Sequence, residues 1–177
     1  MHDKAPTLET ARFILRAHEH GDFEAFAELW ADPVVTRFIH GGPRSRDESW
    51  LRFLRNGDLW KFLGFGYWAV EDKMSGKFAG TVGFQDMKRA MTPSIEGLPE
   101  IGWVLAPAIH GKGAATEIVA ALVAWSDAEL SGEKTVCIIR PEHGASMRVA
   151  EKNGYFHREM ATFNDAPIVL LERPRRS

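Results

Sequence analysis

The hydrophobic pattern of the first third of the chain changes from strand-like to helical. Residues 12–18 place apolar side chains at every second position, which predicts a strand, and residues 22–31 follow with the spacing of a helix. A second helix is predicted to begin at Ser45, because Glu48 stands three residues later as in a capping box. The expected apolar side of this second helix comprises Trp50, Leu51, Phe53 and Leu54.

From Gly66 onward the pattern has a period of two residues, which is typical of strands. Two such runs flank a turn at residues 73–77 and predict a hairpin, while a punctuated stretch at 91–99 predicts a loop. The predicted strands of this part of the chain cover residues 66–71, 78–85, 100–105, 135–140, 156–163 and 168–172.

Two further helices complete the expected fold. The longest helix is predicted over 114–129, where Ile118, Leu122 and Trp125 share one face. Because this helix connects strands 100–105 and 135–140, those strands are expected to be parallel. A short helix at 146–153 is expected to stop at Gly154, which tolerates the left-handed conformation. The order of elements predicts an α/β (α+β) fold, a mixed sheet with helices on both faces.

Composition narrows the class of protein. A chain of 177 residues with 45% hydrophobic residues and a net charge of −2 can bury a sufficient core as one domain. The near-neutral charge argues against a nucleic-acid partner, and no apolar run is long enough to cross a membrane. Because the first residues also lack the apolar stretch of a signal peptide, we expect a cytoplasmic protein.

Several reactive side chains have ordinary explanations. His18 and His20 flank Glu19 in a pattern that suits a metal, but a convincing third ligand is missing, so we expect surface histidines and no metal site. Cys137 lies within an apolar strand and is expected to be a core residue. No serine stands in a Gly-x-Ser-x-Gly motif, which argues against a hydrolase.

The segment from Trp103 to Ala115 contains the most specific chemistry. It joins a strand to the 114–129 helix through a loop with two glycines, Gly111 and Gly113, which allow a ligand to approach the backbone. The first amides of a helix lack internal acceptors and favour a phosphate, and Lys112 adds a positive charge at the rim. This loop is neither a Walker motif nor a dinucleotide fingerprint, and without Gly-Lys-Ser/Thr a metal-dependent nucleotide enzyme is disfavoured.

Five separated motifs resemble the GNAT family of N-acetyltransferases, and the ribosomal-protein alanine acetyltransferase branch in particular. The phosphate loop matches the family's Gln/Arg-x-x-Gly-x-Gly/Ala pattern, with His110, Gly113 and Ala115 at the marked positions. His110 departs from that pattern. The five motifs are Leu-Glu-Thr-Ala-Arg at 8–12, Asp-Pro at 32–33, Glu-Ile-Gly-Trp at 100–103, the loop at 111–117, and the segment 145–155.

The resemblance implies one N-acetyltransferase domain over residues 1–177, with a core at about 8–173 and a mostly antiparallel sheet of six to seven strands with about four helices. The central parallel strands are expected to splay apart, so that acetyl-CoA, the acyl donor, places its pantetheine arm in the gap. The implied acetyl-CoA-binding residues are Trp103, Val104, Leu105, His110, Gly111, Lys112, Gly113, Ala114, Ala115, Thr116, His143 and Ser146.

Proton transfer requires further residues. Glu100 is the preferred general base for an incoming ammonium group, and Glu96 and Glu117 are weaker candidates. The family's usual proton-donating Tyr is replaced here by Ala150. Ser146, one helical turn earlier, is expected to contact the coenzyme A sulfur or an ordered water, although a plain N-terminal helix position explains it equally well.

The resemblance implies that the acceptor is a primary amine, either a protein N-terminus or a small amine such as an aminoglycoside, a polyamine or an amino-acid derivative. The lack of an acidic run argues against highly cationic acceptors. An aromatic cluster lies around the second predicted helix and the segment after it, and comprises Trp50, Trp60, Phe62, Phe65 and Trp68. These rings either pack in the core or form one wall of the acceptor groove, as the resemblance implies.

Two alternatives stay open at this point. The chain could be a non-catalytic acyl-CoA sensor of the same fold, and it could form a homodimer.

Overall fold

The structure is a computed structural model that describes residues 2–176. Eight strands form one sheet in the order β1-β2-β3-β4-β5-β6-β8-β7, and every neighbouring pair is antiparallel except β5 and β6. The strands are β1 (Leu8–Glu9), β2 (Phe13–Arg16), β3 (Tyr67–Asp72), β4 (Phe78–Gln85), β5 (Glu100–Leu105), β6 (Lys134–Ile139), β7 (Phe156–Phe163) and β8 (Ala166–Pro174).

Five α-helices pack against this sheet. They are α1 (Phe23–Ala31), α2 (Pro33–Thr36), α3 (Arg46–Leu63), α4 (Ala114–Glu129) and α5 (Gly144–Lys152). Helices α1 and α3 contact each other and strands β4 and β3, whereas α4 and α5 contact each other and strands β5 and β6. Because β4 is buried at every position after its first, both faces of the central sheet are covered.

The predicted α/β architecture is confirmed, including the parallel pairing of β5 with β6. The sheet has eight strands rather than six or seven because the two-residue β1 adds to one edge. The prediction that 114–129 is the longest helix is wrong. Helix α3 has 18 residues against 16 in α4, because it continues for two turns beyond its expected apolar side before Gly64 ends it in the left-handed conformation.

Local end signals behave as the sequence indicates. The Ser45 side chain accepts from the Glu48 amide, and the Glu48 side chain accepts from the Ser45 amide, which completes the capping box of α3. Gly154 takes a φ of 85° directly after α5. The main core lies between the sheet and α4, where Ile118, Val119 and Leu122 are fully buried. Within residues 2–176, no helix is long and apolar enough to cross a membrane.

Candidate active site

Strands β5 and β6 separate almost as soon as they meet. Glu100 pairs with Val136, and no later residue of β5 pairs with β6 although both strands contain six residues. Backbone groups of β5 after Glu100 therefore face a gap instead of a strand. This gap opens into a cavity of about 830 Å³, whose walls include β5, β6, the loop after β5, the first turns of α4 and α5, and residues of α3 and β3.

The loop at the end of β5 has the conformation that its glycines allow. Gly111 and Gly113 take φ values of 71° and 74°, a region in which residues with a Cβ are strained. Gly113 is the N-cap of α4 and provides no capping side chain. The first amides of α4 are therefore open to a ligand at the positive end of the helix dipole.

Arg12, which directly precedes β2, fixes the position of this loop. Arg12 donates from Nε to the Glu117 carboxylate at 2.7 Å and from Nη1 to the Lys112 carbonyl at 2.9 Å. Burial raises the pKa of Glu117, but hydrogen bonds from Thr10 and Arg12 outweigh it and lower that pKa overall. Glu117, a weaker candidate base, thus acts as the anchor between the Leu-Glu-Thr-Ala-Arg motif and the phosphate loop.

Two other loop side chains bind within the protein. His110 Nε2 lies 2.8 Å from the Leu105 carbonyl oxygen and therefore donates its proton to the end of β5. Lys112 directs its ammonium group to the Ala108 carbonyl at 2.9 Å. Lys112 is the single expected acetyl-CoA-binding residue that does not line the cavity, and the other eleven do.

The start of α5 brings Ser146 and His143 together beside the gap. Ser146 Oγ lies 2.8 Å from His143 Nε2, and the His143 ring stacks on Phe38 with centroids 4.3 Å apart. Burial, and then the nearby charge of His110, lower the pKa of His143, which favours the neutral ring. A neutral imidazole exchanges hydrogen-bond roles readily with a hydroxyl group, so the pair suits a proton relay.

Comparison with known proteins identifies the family. The family model for the acetyltransferase (GNAT) domain matches residues 12–155. The chain belongs to the GNAT acetyltransferase family. It is 31% identical over 170 residues to the uncharacterized protein YkkB of Bacillus subtilis, covering 94% of each chain.

Solved structures agree with this assignment. A putative GNAT-family acetyltransferase from Bordetella pertussis superimposes with a TM-score of 0.84 at 28% identity, over 96% of this chain and 99% of that one. The ribosomal-protein-S5-alanine acetyltransferase of Vibrio fischeri has a TM-score of 0.75 at 21% identity, over 98% of both chains, which shows a shared fold. The chain is therefore an acyltransferase of class EC 2.3.1, and acetyl-CoA is the acyl donor typical of its family.

The GNAT site fits acetyl-CoA by its own geometry. The cavity extends from the open N-terminus of α4 along the unpaired side of β5, so one end suits a diphosphate and the middle suits an extended chain. β5 spans about 17 Å, the rise of its six residues, between the loop and Glu100. The loop at 110–113 and Glu100 thus lie at opposite ends of β5 within one cavity.

Glu100 is buried, with 4% of its surface exposed, and it is held by two partners. Arg89 donates from Nε to Oε2 at 2.6 Å and from Nη2 to Oε1 at 3.0 Å, while Gln85 donates to Oε1 at 3.1 Å. A carboxylate has about four lone-pair sites, so three are occupied and one on Oε2 is free. The alternative base Glu96 is exposed, pairs with Lys88 and lies outside the cavity.

Hydroxyl groups near the reaction path come from other positions than the family's Tyr. Ala150 is fully buried in the main core, so its side chain does not reach the cavity. Tyr67 on β3 lines the cavity instead, and its hydroxyl lies 2.6 Å from the point where a Cβ on Gly102 would stand. Burial, and then the charge of Glu100, raise the pKa of Tyr67 to about 12, so this phenol stays protonated.

Of the two explanations for the aromatic cluster, core packing holds for four of its five rings, and the acceptor wall is wrong for this structure. Trp60 and Trp68 are buried in the main core, where their rings meet edge to face at 4.5 Å, and Phe62 points to solvent with 75% of its surface exposed. Trp50 and Phe65 pack against core clusters, and none of the five rings lines the cavity. Burial of a large aromatic ring between the sheet and the helices removes more apolar surface from water than a position at the wall of an open groove, so core packing is favoured.

Two further expectations about single residues have clear outcomes. Cys137 is a core residue as predicted, and burial, followed by the charge of Glu100, raises the pKa of its thiol. His18 is not a surface histidine: it packs edge to face against Phe26 and Phe53, and burial lowers its pKa to about 4. Within residues 2–176, no group of three or more His, Cys, Asp or Glu side chains is arranged to hold a metal.

Two arginines on α3 line the cavity although the hydrophobic pattern did not indicate them. Arg52 and Arg55 line the cavity, whereas Leu51 and Leu54, expected on the buried side, are 68% and 46% exposed. The signal was available in the i, i+3 spacing of the two arginines, which places them on one helical face. Apolar residues occur on several sides of α3, so the hydrophobic pattern does not identify the face that carries the two arginines.

Proposed function

We propose that this GNAT protein transfers acetyl from acetyl-CoA directly to a primary amine in a ternary complex, as one acetyltransferase domain with its core at about residues 8–173. One observation carries the proposal: a single cavity joins the open N-terminus of α4, the splayed edge of β5 and the buried carboxylate of Glu100. A covalent intermediate is not required, because the buried thiol of Cys137 has a raised pKa and is a poor nucleophile.

The backbone provides the first part of the mechanism. Open amides at the start of α4 bind the diphosphate, and unpaired groups of β5 between Trp103 and Leu105 hydrogen-bond the pantetheine arm as an added strand. A β5 amide facing the thioester oxygen stabilises the charge of the tetrahedral intermediate, an interaction worth about 3 kcal/mol.

Glu100 is our candidate for the general base. Its one free lone pair, on Oε2, is open to the acceptor's ammonium group or to a water between them. Transfer of a proton to Glu100 frees the nitrogen lone pair that attacks the thioester, while Arg89 and Gln85 hold the carboxylate in place. An α-amino group with a pKa near 8 gives up this proton more easily than a lysine side chain with a pKa near 10.4.

Ser146 is our candidate for the leaving-group side. Its hydroxyl lies beside the gap with His143 at hydrogen-bond distance, and Ala150 leaves no phenol at the usual position. We infer that Ser146 donates a proton to the departing thiolate, directly or through a water, while neutral His143 passes its Nε2 proton to Ser146 Oγ and takes up a proton from solvent at Nδ1. The proton removed from the amine returns to solvent from Glu100, so the protons balance. The stepwise proton transfer leaves the acetylated amine and free coenzyme A.

The acceptor is proposed to be a protein N-terminus or a small amine. The five sequence motifs support the ribosomal-protein alanine acetyltransferase branch, to which the Vibrio fischeri enzyme belongs by its description, and a cytoplasmic location is consistent with such acceptors. We leave a homodimer as an open arrangement. The likeness in fold is equally compatible with a small-molecule amine.

A second candidate function is an acyl-CoA sensor of the same fold. The absent phenol at Ala150 and the paired state of Glu100 favour it, because both reduce the capacity for proton transfer. A screen that combines thermal shift with release of free thiol separates the two functions. Stabilisation by acetyl-CoA with amine-dependent thiol release supports the transferase, and stabilisation without thiol release for any amine supports the sensor.

A further inference from the structure

The side chains that line the cavity have a positive net charge, although the net charge of the whole chain is slightly negative. Its lining within residues 2–176 contains eight arginine or lysine residues and one acidic residue, Glu100, whereas the net charge of the chain is −2. The eight are Arg37, Arg44, Arg52, Arg55, Arg89, Arg140, Arg148 and Lys152.

These cations belong to two ends of the site. Arg140, Arg148 and Lys152 lie just after β6 and on α5, next to the phosphate loop, and are available for the phosphates of acetyl-CoA. Arg52 and Arg55 lie on α3, which contacts β3. The hydroxyl of Tyr67 on β3 lies against Gly102, two residues from Glu100, so α3 and its arginines lie toward the Glu100 end of β5.

Arg52 and Arg55 have no partner of opposite charge. In the described part of the chain, neither forms an ion pair, and the buried Nε of Arg55 has no hydrogen-bond acceptor. Arg52 lies over the Trp30 ring at 4.1 Å, which holds the guanidinium plane and leaves its N–H edges free. By contrast, the half-buried Arg89 is paired with Glu100.

Half-buried cations without a partner of opposite charge carry a desolvation cost. Burial, followed by the charge of Arg55, lowers the pKa of Arg52 to about 10, and burial also lowers the pKa of Arg55. An anion bound between the two arginines offsets the free energy that each guanidinium group loses when it is removed from water. A carboxylate suits this position because its two oxygens match the paired N–H donors of a guanidinium group.

We propose that the acceptor amine also carries a carboxylate, and that Arg52 and Arg55 bind this carboxylate while the amine points toward Glu100. The inference rests on the proposed transferase function and names its substrate class. Two sources supply this chemistry: a free amino acid, or an acidic residue close behind a protein N-terminus. A polyamine or an aminoglycoside places further positive charge beside these arginines and is disfavoured.

The first experiment compares acceptors that differ in one charge. Common amino acids are each paired with their own carboxamide, short peptides with Glu after N-terminal Ala or Ser are paired with the Gln versions, and spermidine is the cationic reference. Thiol release at saturating acetyl-CoA gives kcat/KM for each. We expect kcat/KM for one set of acids to be about 30-fold or more above kcat/KM for the matching neutral compounds. This ratio corresponds to the smallest usual effect of removing one partner from a buried charge pair. The amino-acid and peptide sets identify the source.

The second experiment changes the arginines. Arg55→Met and Arg52→Met should raise KM for the acid by about tenfold or more and remove the preference over the carboxamide, with KM for acetyl-CoA changed less than about twofold. Arg55→Lys should keep part of the preference because it keeps the charge. Arg46→Met is the matched control, because Arg46 lies on the same helix, is exposed and pairs with Glu24 outside the cavity.

A binding measurement separates failure of this inference from failure of the transferase function. With coenzyme A bound, calorimetry compares the same acids and carboxamides on the wild-type protein and on Arg55→Met. Equal turnover of acids and neutral partners would overturn the carboxylate site and leave the transferase intact. Arg55-dependent binding of acids without any turnover would support the site and overturn the transferase. No preference for acids in either measurement overturns the inference outright.

Discussion

Ser146 Oγ and His143 Nε2 lie 2.8 Å apart at the start of α5, beside the gap between the parallel strands. Burial favours the neutral imidazole, which can pass its Nε2 proton to the serine hydroxyl only while it takes up another proton at Nδ1. A hydroxyl relayed in this way offers the departing thiolate a proton without the phenol that many GNAT enzymes place at the position of Ala150.

Ser146→Ala should lower kcat by about tenfold. This is less than the usual 10²–10⁴-fold for acid–base catalysis, because a thiolate of pKa about 8.5 leaves without much assistance. KM for acetyl-CoA should change little. The matched control is Ser146→Thr, which keeps the hydroxyl group and should retain most of the activity. A pH–rate profile identical in Ser146→Ala and wild type would remove Ser146 from proton transfer.

Glu100→Gln tests the proposed base. The amide removes the negative charge and the free lone pair on Oε2, so turnover should fall most for an amine of high pKa, by about 10²-fold, with acetyl-CoA stabilisation unchanged. Acetylation rates between pH 6.5 and pH 9.5 give the measurement. If Glu100 only positions Arg89, then Arg89→Gln should reproduce the defect at every pH. Unchanged rates across the whole pH range in Glu100→Gln would eliminate both roles.

Gly113→Trp tests the phosphate seat. Gly113 has a φ of 74° and caps the helix whose amides face the cavity, so a Trp at this position strains the backbone and obstructs the loop. At 100 times Kd, acetyl-CoA should raise the Tm of the wild type by about 5–10 °C, and this shift should disappear in the variant.

The control for this experiment is Gly76→Trp. Gly76 has a φ of 66° in the turn between β3 and β4 and lies outside the cavity, so it carries the same backbone strain without touching the loop. Both variants should lose a similar amount of basal stability, about 1–2 kcal/mol. A full acetyl-CoA shift in Gly113→Trp contradicts the assignment of the loop.

The parts of this fold that the sequence predicts are those decided by neighbouring residues. The alternation in 100–105, the capping box at Ser45 and the two glycines of the loop are local signals, and each has its expected conformation. The open side of β5 was expected from the family resemblance. Its visible cause in the structure is a ladder that ends after Glu100 and Val136.

Features decided by distant residues were not predictable from local patterns. The pairing of Glu100 with Arg89 depends on how the loop between β4 and β5 folds back, and no local pattern in residues 86–99 indicates the direction of that loop. Helix α3 is oriented so that Arg52 and Arg55 face the cavity, whereas Leu51 is exposed to solvent. A hydrophobic pattern predicts which side of a helix packs against the core. It does not predict which charged side chains of the helix face a polar cavity.

His18 provides a prediction for stability rather than catalysis. Its Nε2 lies 3.1 Å from Thr81 Oγ1, and its ring packs between Phe26 and Phe53. Burial lowers the pKa of His18 from 6.5 to about 4 against the opposing charge of Asp22. The unfolded chain therefore binds a proton that the folded protein rejects between pH 6.5 and pH 4. The contribution of neutral His18 to stability is complete above pH 6.5 and is lost as the pH falls through that window.

His18→Gln should reduce this pH dependence, because glutamine does not titrate and can still reach Thr81. Between pH 7 and pH 4.5, the wild type should lose about 2 kcal/mol more unfolding free energy than the variant, from the slope of about 1.4 kcal/mol per pH unit for one proton. Urea unfolding at several pH values gives the measurement. His20→Gln is the matched control, since His20 is exposed two residues away. Parallel stability curves for wild type and His18→Gln would contradict the burial of a neutral histidine at this position.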